Sequence, residues 1–188
     1  MSLSRSPSGK YLFFANEGAL VPDGPIASKA GGTRIRILRR DLATGVDEEH
    51  AYLTDTTGDG DAGTLGVSDV TALGDSTVLV LERGFQSGYG NTVRIYEVEL
   101  SSGPDVSMLD ALVASTPTVT KRLIVDLASL PADGIMNPGA QPNPLLDNYE
   151  GLALGPLLPD GRRLVFVVSD DNERASEVAR ILVLALQL

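Results

Sequence analysis

Leu73-Gly74-Asp75-Ser76-Thr77-Val78-Leu79-Val80-Leu81-Glu82-Arg83-Gly84 carries the plan of the whole chain. A Gly-Asp turn opens it, an apolar run rich in β-branched residues follows, and an acid closes it. The same order stands upstream, where Ser6-Pro7-Ser8-Gly9-Lys10 leads into Tyr11 to Ala15 and then Asn16-Glu17-Gly18. It stands again downstream as Pro159-Asp160-Gly161, Leu164 to Val168 and Ser169-Asp170-Asp171-Asn172. Turn, strand and acid, repeated three times, define an all-β repeat protein.

Working outward from each unit, further β-rich stretches appear at Thr33 to Leu38, Thr92 to Val98 and Ile181 to Leu184. The first two alternate apolar with polar residues, the mark of half-buried strands. Leading strands at Val67 to Leu73 and Tyr149 to Leu154 precede the second and third turns, and none is expected before the first. Closing strands are expected at His50 to Leu53 and Arg122 to Leu127. Meanders of about four strands in series point to a β-propeller-like fold of about three blades. The blade-like units fall at residues 1–57, 64–130 and 147–188 of a single partial domain. Successive units start about 65 and 87 residues apart, longer than compact blades of roughly 40 to 50, so long loops take up the excess. Those loops are 21–32, 55–66 and 132–147, dense in Gly, Pro, Asp and Asn. A short helix over Val106 to Ala114 is also expected, since Met108, Leu109 and Leu112 share one helical face.

Composition removes several function classes. A net charge of −10 with only three lysines disfavours a nucleic-acid partner, which needs clustered cations for phosphates. Without cysteine there are no disulfides, thiolate nucleophiles or Cys-bound metals. The lone His50 follows Asp47-Glu48-Glu49, away from any Gly-x-Ser-x-Gly elbow, so serine-hydrolase chemistry has no footing. No apolar run reaches the roughly 18 residues of a membrane span, and the N-terminus lacks the apolar core of a signal peptide.

Two features invite cations. Asp55-Thr56-Thr57-Gly58-Asp59-Gly60-Asp61 has the look of a calcium loop, yet its twelfth position is Gly66 where an EF-hand needs a bidentate Glu. Carboxylates also sit beside the apolar runs at Glu17, Asp69, Glu82, Glu150, Asp170 and Asp171. They either converge on a shared polar rim or simply meet water where strands end.

Asn148-Tyr149-Glu150-Gly151-Leu152-Ala153-Leu154, with Asp160-Gly161-Arg162-Arg163-Leu164 and Ser169-Asp170-Asp171-Asn172, resembles the phytase-like family, the esterase-like activity of phytase. Val80-Leu81-Glu82-Arg83-Gly84 with Val93-Arg94-Ile95-Tyr96 resembles the same family's middle motif, and Ser6 to Glu17 an earlier blade. Family members are about twice as long, so the resemblance implies the C-terminal half only, roughly half of a six-bladed ring. The missing N-terminal half, a second copy forming a homodimer, or loops covering the open edges would complete it. The resemblance also implies a secreted or periplasmic hydrolase of phosphate or carboxylic esters. In its metal-dependent form, calcium would be held by Glu17, Asp69, Glu82, Glu150, Asp170, Asp171 and Asn172. Glu150 and Asp170 would serve catalysis, and Arg83 would grip the substrate's phosphate. The rival readings are a non-catalytic propeller module that binds a protein or small ligand through its loops, and an inactive fragment of a longer propeller that holds only half of a site.

Overall fold

A computed structural model describes residues 2–57 and 63–188. Eleven strands form three antiparallel sheets among these residues, laid down one after another along the chain. The first sheet holds β1 (Ser2–Arg5), β2 (Tyr11–Ala15), β3 (Arg34–Asp41) and β4 (Asp47–Leu53) in sequence order. The second holds β5 (Gly63–Ala72), β6 (Thr77–Gln86), β7 (Gly90–Glu99) and β8 (Thr120–Asp126). The third holds β9 (Tyr149–Leu157), β10 (Arg163–Ser169) and β11 (Arg180–Leu186). The first strand of each sheet packs against the first strand of the next, β1 on β5 and β5 on β9. Serial meanders stacked face to face in this way make the fold all-β and propeller-like.

The second sheet is buried on both faces, and strand alternation explains how one sequence serves two cores. Even-numbered Val78 and Val80 of β6 join Phe13, Ile35, Ile37 and Tyr52 in a core against the first sheet. Odd-numbered Leu79 and Leu81 join Tyr149, Leu152, Val165 and Val167 in a core against the third. A β-bulge in β5 between Val67 and Asp69 shifts the parity there, so Val67 and Val70 face the same core while three residues apart.

Two expectations change. The first unit does have a leading strand, for Ser2–Arg5 pairs with β2 from Ser2↔Ala15 to Arg5↔Leu12. Its sequence, Ser-Leu-Ser-Arg, carries no apolar alternation to announce it. It is held by the turn that bonds Ser6 N to Tyr11 O at 2.9 Å and by Ala72 N donating to Ser4 Oγ at 2.9 Å. The segment Val106 to Ala114 forms no helix, and no α-helix appears among the described residues. The first sheet takes its amides instead: Val106 N donates to Glu49 O at 2.8 Å, and Leu112 N to Asp23 Oδ1 at 2.9 Å. Leu112 is therefore buried, while Met108 is 92% exposed.

His50 sits inside this architecture rather than in a charged surface stretch. Its imidazole is buried, and both nitrogens lack a hydrogen-bond partner among the described residues. Burial holds its pKa below the ordinary 6.5, helped by the Arg39 charge and opposed by Glu48 and Asp105. Above 6.5 the neutral ring carries no protonation penalty, and as pH falls through the depressed folded value the unfolded chain binds the proton more readily. Stability is accordingly expected to decline as pH falls below 6.5 toward the depressed folded value, partly through this one group. Urea unfolding across that window should show a shallower decline in His50→Leu; an identical slope would remove His50 from the account.

Candidate functional site

The chain just past β2, the later part of β6 and the start of β9 come together, and there two of the acids meet Arg83. Odd parity turns Arg83 of β6 toward the third sheet, where its Nη2 lies 3.4 Å from Glu150 Oε1 at the start of β9. The same nitrogen is 3.6 Å from Glu17 Oε1, just past β2 of the first sheet. Glu17 is fixed from behind, since its carbonyl accepts Val67 N at 2.9 Å. That approach requires Gly66, because a Cβ there would stand 2.4 Å from the Glu17 carbonyl oxygen. Asn148 Nδ2 donates to Glu150 Oε1 at 2.8 Å, and the Asn148 carbonyl accepts Asp170 N at 3.0 Å. Glu17, Arg83, Glu150 and Asn148 thus form a continuous polar rim across all three sheets, to which Asp170 is tied by its backbone while its Oδ1 accepts Asn172 N at 3.1 Å.

Among the described residues Arg83 is held more loosely than Arg36 or Arg94. Arg36 holds Asp23 at 2.7 and 2.8 Å, and Arg94 holds Asp126 at 2.8 Å, ordinary lengths for charge-assisted bonds. Arg83's two contacts are longer, and its Nε is buried without a partner among the described residues. Its side chain is mostly shielded, whereas those of Glu17 and Glu150 are well exposed.

The remaining expected site residues lie elsewhere. Glu82, one position before Arg83, points to the opposite face and is 1% exposed. Its Oε1 accepts Lys121 Nζ at 2.7 Å and the Tyr52 hydroxyl, and its Oε2 accepts Asp55 N at 3.0 Å. Burial raises the Glu82 carboxyl above its ordinary range, with Lys121 opposing. Asp69, just past the β5 bulge, accepts Leu152 N and Val70 N, both at 2.8 Å, and ties the second sheet to the third. Burial raises its pKa too, against those two amides. Asp171 and Asn172 belong to a local turn, in which Asp171 Oδ1 accepts Glu173 N at 3.0 Å and Asn172 Nδ2 donates to Glu177 Oε2 at 2.8 Å.

Around Glu82 lies a network that joins it to Lys121, Asp55, Tyr96 and Arg94, partners no motif announces together. Lys121 Nζ also donates to Asp55 Oδ1 at 2.7 Å and lies 4.2 Å from the centre of the Tyr96 ring. Asp55 Oδ2 accepts Arg94 Nη1 at 2.9 Å and the Tyr96 hydroxyl at 2.5 Å. Burial works to raise the Asp55 carboxyl, and Lys121, Tyr96 and Arg94 overcome it and hold it below the ordinary value. Asp55, read from sequence as the opening ligand of a calcium loop, here anchors that network. Residues 58–62 of the same run, with Asp59 and Asp61, lie outside the described residues.

The seven expected calcium ligands therefore do not share one centre. Among the described residues no three carboxylates or histidines stand close enough together to hold a metal ion. Glu82 and Asp69 have their oxygens engaged by a lysine, a tyrosine and backbone amides. No described helix is long and apolar enough to cross a membrane. No curated protein and no solved structure matches the chain. A family model does: the phytase-like model, described as esterase-like activity of phytase, matches residues 2–173, and the chain belongs to that family.

Proposed function

We propose that this chain supplies the substrate-holding rim of a phytase-like hydrolase acting on phosphate or carboxylic esters that bear an anionic group. The observation that carries the reading is Arg83, a shielded guanidinium with long contacts to Glu17 and Glu150 and an unpartnered Nε, at the level where three sheets meet. Such a fork has donors free for a phosphate or carboxylate, which it would hold bidentately. Glu150 is the carboxylate nearest to a group held there. It takes a proton from an attacking water as the water oxygen bonds to phosphorus or carbonyl carbon; the ester bond breaks, and the leaving oxygen takes up a proton. Asp170, linked to Glu150 through Asn148, supports the same rim.

Arg83→Met is expected to lower kcat/KM about 50-fold on whichever ester of a phosphate and carboxylate panel the protein hydrolyses, with melting temperature little changed. A folded variant with wild-type turnover would sink the assignment. Failure of the wild type on the whole panel, with phosphate still bound through Arg83, would favour a ligand-binding module instead. Calcium has its own test, since the reaction above routes no step through a metal. A calcium-induced rise in melting temperature that Glu150→Ala or Asp170→Ala removes would establish a metal at the rim, and an indifferent curve would leave Arg83 as its cation.

A further inference from the structure

Two residues beyond Arg83 on the same face of β6 is Phe85, which lines a cleft of about 250 Å³. One wall is the β6–β7 hairpin, with Phe85, Tyr89 and Asn91; the other is built from Gln141 and its neighbours and from Arg174 to Glu177. The two walls are joined where Asn91 N donates to Gln141 Oε1 at 2.7 Å. That closure depends on Gly90, at φ 105°, where a Cβ would stand 2.8 Å from the Ala140 carbonyl oxygen. Phe85 and Tyr89 are about half exposed, at 49% and 48%, an unusual exposure for two aromatic rings flanking one cleft.

Residues two apart on a strand are separated by about 6.7 Å along its axis, so the cleft starts one substituent's length from the Arg83 position. Its volume falls at or below the roughly 300 Å³ lower bound of drug-sized pockets, room for one flat ring system. Charge sharpens the choice. Arg83 is flanked by Glu17 and Glu150, and the cleft's own cation, Arg174, is paired with Glu177 at 3.1 Å, so in a chain of net charge −10 a second or third phosphate would meet carboxylates beside every cation within reach. We propose that the cleft takes the aromatic alcohol portion of a singly substituted anionic ester, whose anionic group sits on Arg83. The site thereby favours aryl monoesters over polyphosphorylated polyols. The anionic half of this inference rests on the Arg83 assignment above, while the aromatic half stands on the cleft itself.

Three probes separate the two halves: 1-naphthol, 1-naphthyl phosphate and inositol hexakisphosphate, titrated into the full chain and followed by backbone amide shifts. Both naphthyl compounds are expected to move the amides of residues 89–91, 139–141 and 174–177. Phe85→Ala should weaken naphthol binding about tenfold, and Tyr89→Ala should do the same; both rings are exposed enough that folding is retained. Naphthyl phosphate should bind tighter than naphthol by a factor that Arg83→Met abolishes, and tighter than inositol hexakisphosphate. Naphthol binding that responds to Phe85→Ala, with no advantage for the phosphate, would keep the cleft and overturn the Arg83 half. Absence of shifts at those amides with both naphthyl compounds, or preference for inositol hexakisphosphate, would overturn the proposal.

Discussion

Lys121→Met is expected to destabilise the protein by about 3–5 kcal/mol in urea unfolding near neutral pH, as removal of one partner from a buried ion pair generally does. Its ammonium stands 2.7 Å from both Glu82 Oε1 and Asp55 Oδ1, between the first and second sheets. Without it Glu82 keeps only the Tyr52 hydroxyl and the Asp55 amide, and a buried carboxylate so placed resists ionisation further. Its folded pKa then lies further above the ordinary 4.5. Below 4.5 folded and unfolded chains both hold the proton, so the deficit is smallest in acid. It grows as pH rises toward the folded value. Lys121→Met combined with Glu82→Gln should recover at least half of the loss, because no charge is left stranded. Equal urea midpoints for Lys121→Met and wild type would show that the network contributes nothing.

Asp23→Ala is expected to cost about 2–3 kcal/mol and to release two segments together, because the Leu112 amide loses its acceptor and Arg36 loses its bidentate partner while keeping Glu49 at 2.7 Å. Asp23 is fully buried, holds Arg36 through both oxygens at 2.7 and 2.8 Å, and accepts Leu112 N at 2.9 Å. It therefore clamps loop 21–32 and the segment around Leu112 onto β3. The Arg36 bond holds its pKa below the ordinary 3.8 against the pull of burial, so its contribution is complete above 3.8 and is lost as pH falls through the folded value. Hydrogen exchange at the Leu112 amide reads the release directly. Protection unchanged in Asp23→Ala would show that the clamp is not made there.

The strands were legible because their chemistry is local. Turn residues and apolar runs placed β2, β6 and β10, and alternation placed β3 and β7, within a few residues. What escaped reading depended on distant partners. Ser2–Arg5 is a strand because β2 lies beside it, and Val106 to Ala114 is a chain of turns rather than a helix because β4 and Asp23 take the amides of Val106 and Leu112. The candidate site divides in the same way. Glu17, Arg83 and Glu150 come to one rim because the chain just past β2, the later part of β6 and the start of β9 lie side by side. Glu82 does not, because a strand turns each neighbour to the opposite face, and Asp69 does not, because the β5 bulge directs it to the Leu152 amide. Lys121 reaches Glu82 from β8 and Asp55 from across a sheet boundary, and no spacing along the chain encodes such a meeting.

The two faces of β6 make that strand a partition wall. Glu82 opens on a partly enclosed ionic chamber and Arg83 on the outer rim, though a single peptide bond joins them. The ionic side can therefore be redesigned for heat tolerance, and the rim side for a new ligand, with separate sets of substitutions. A single inserted or deleted residue ahead of Glu82, by contrast, would exchange the two compartments at once, seating the arginine in the chamber and the glutamate at the rim. Substitutions explore this strand one face at a time, whereas insertions and deletions put both faces at stake together.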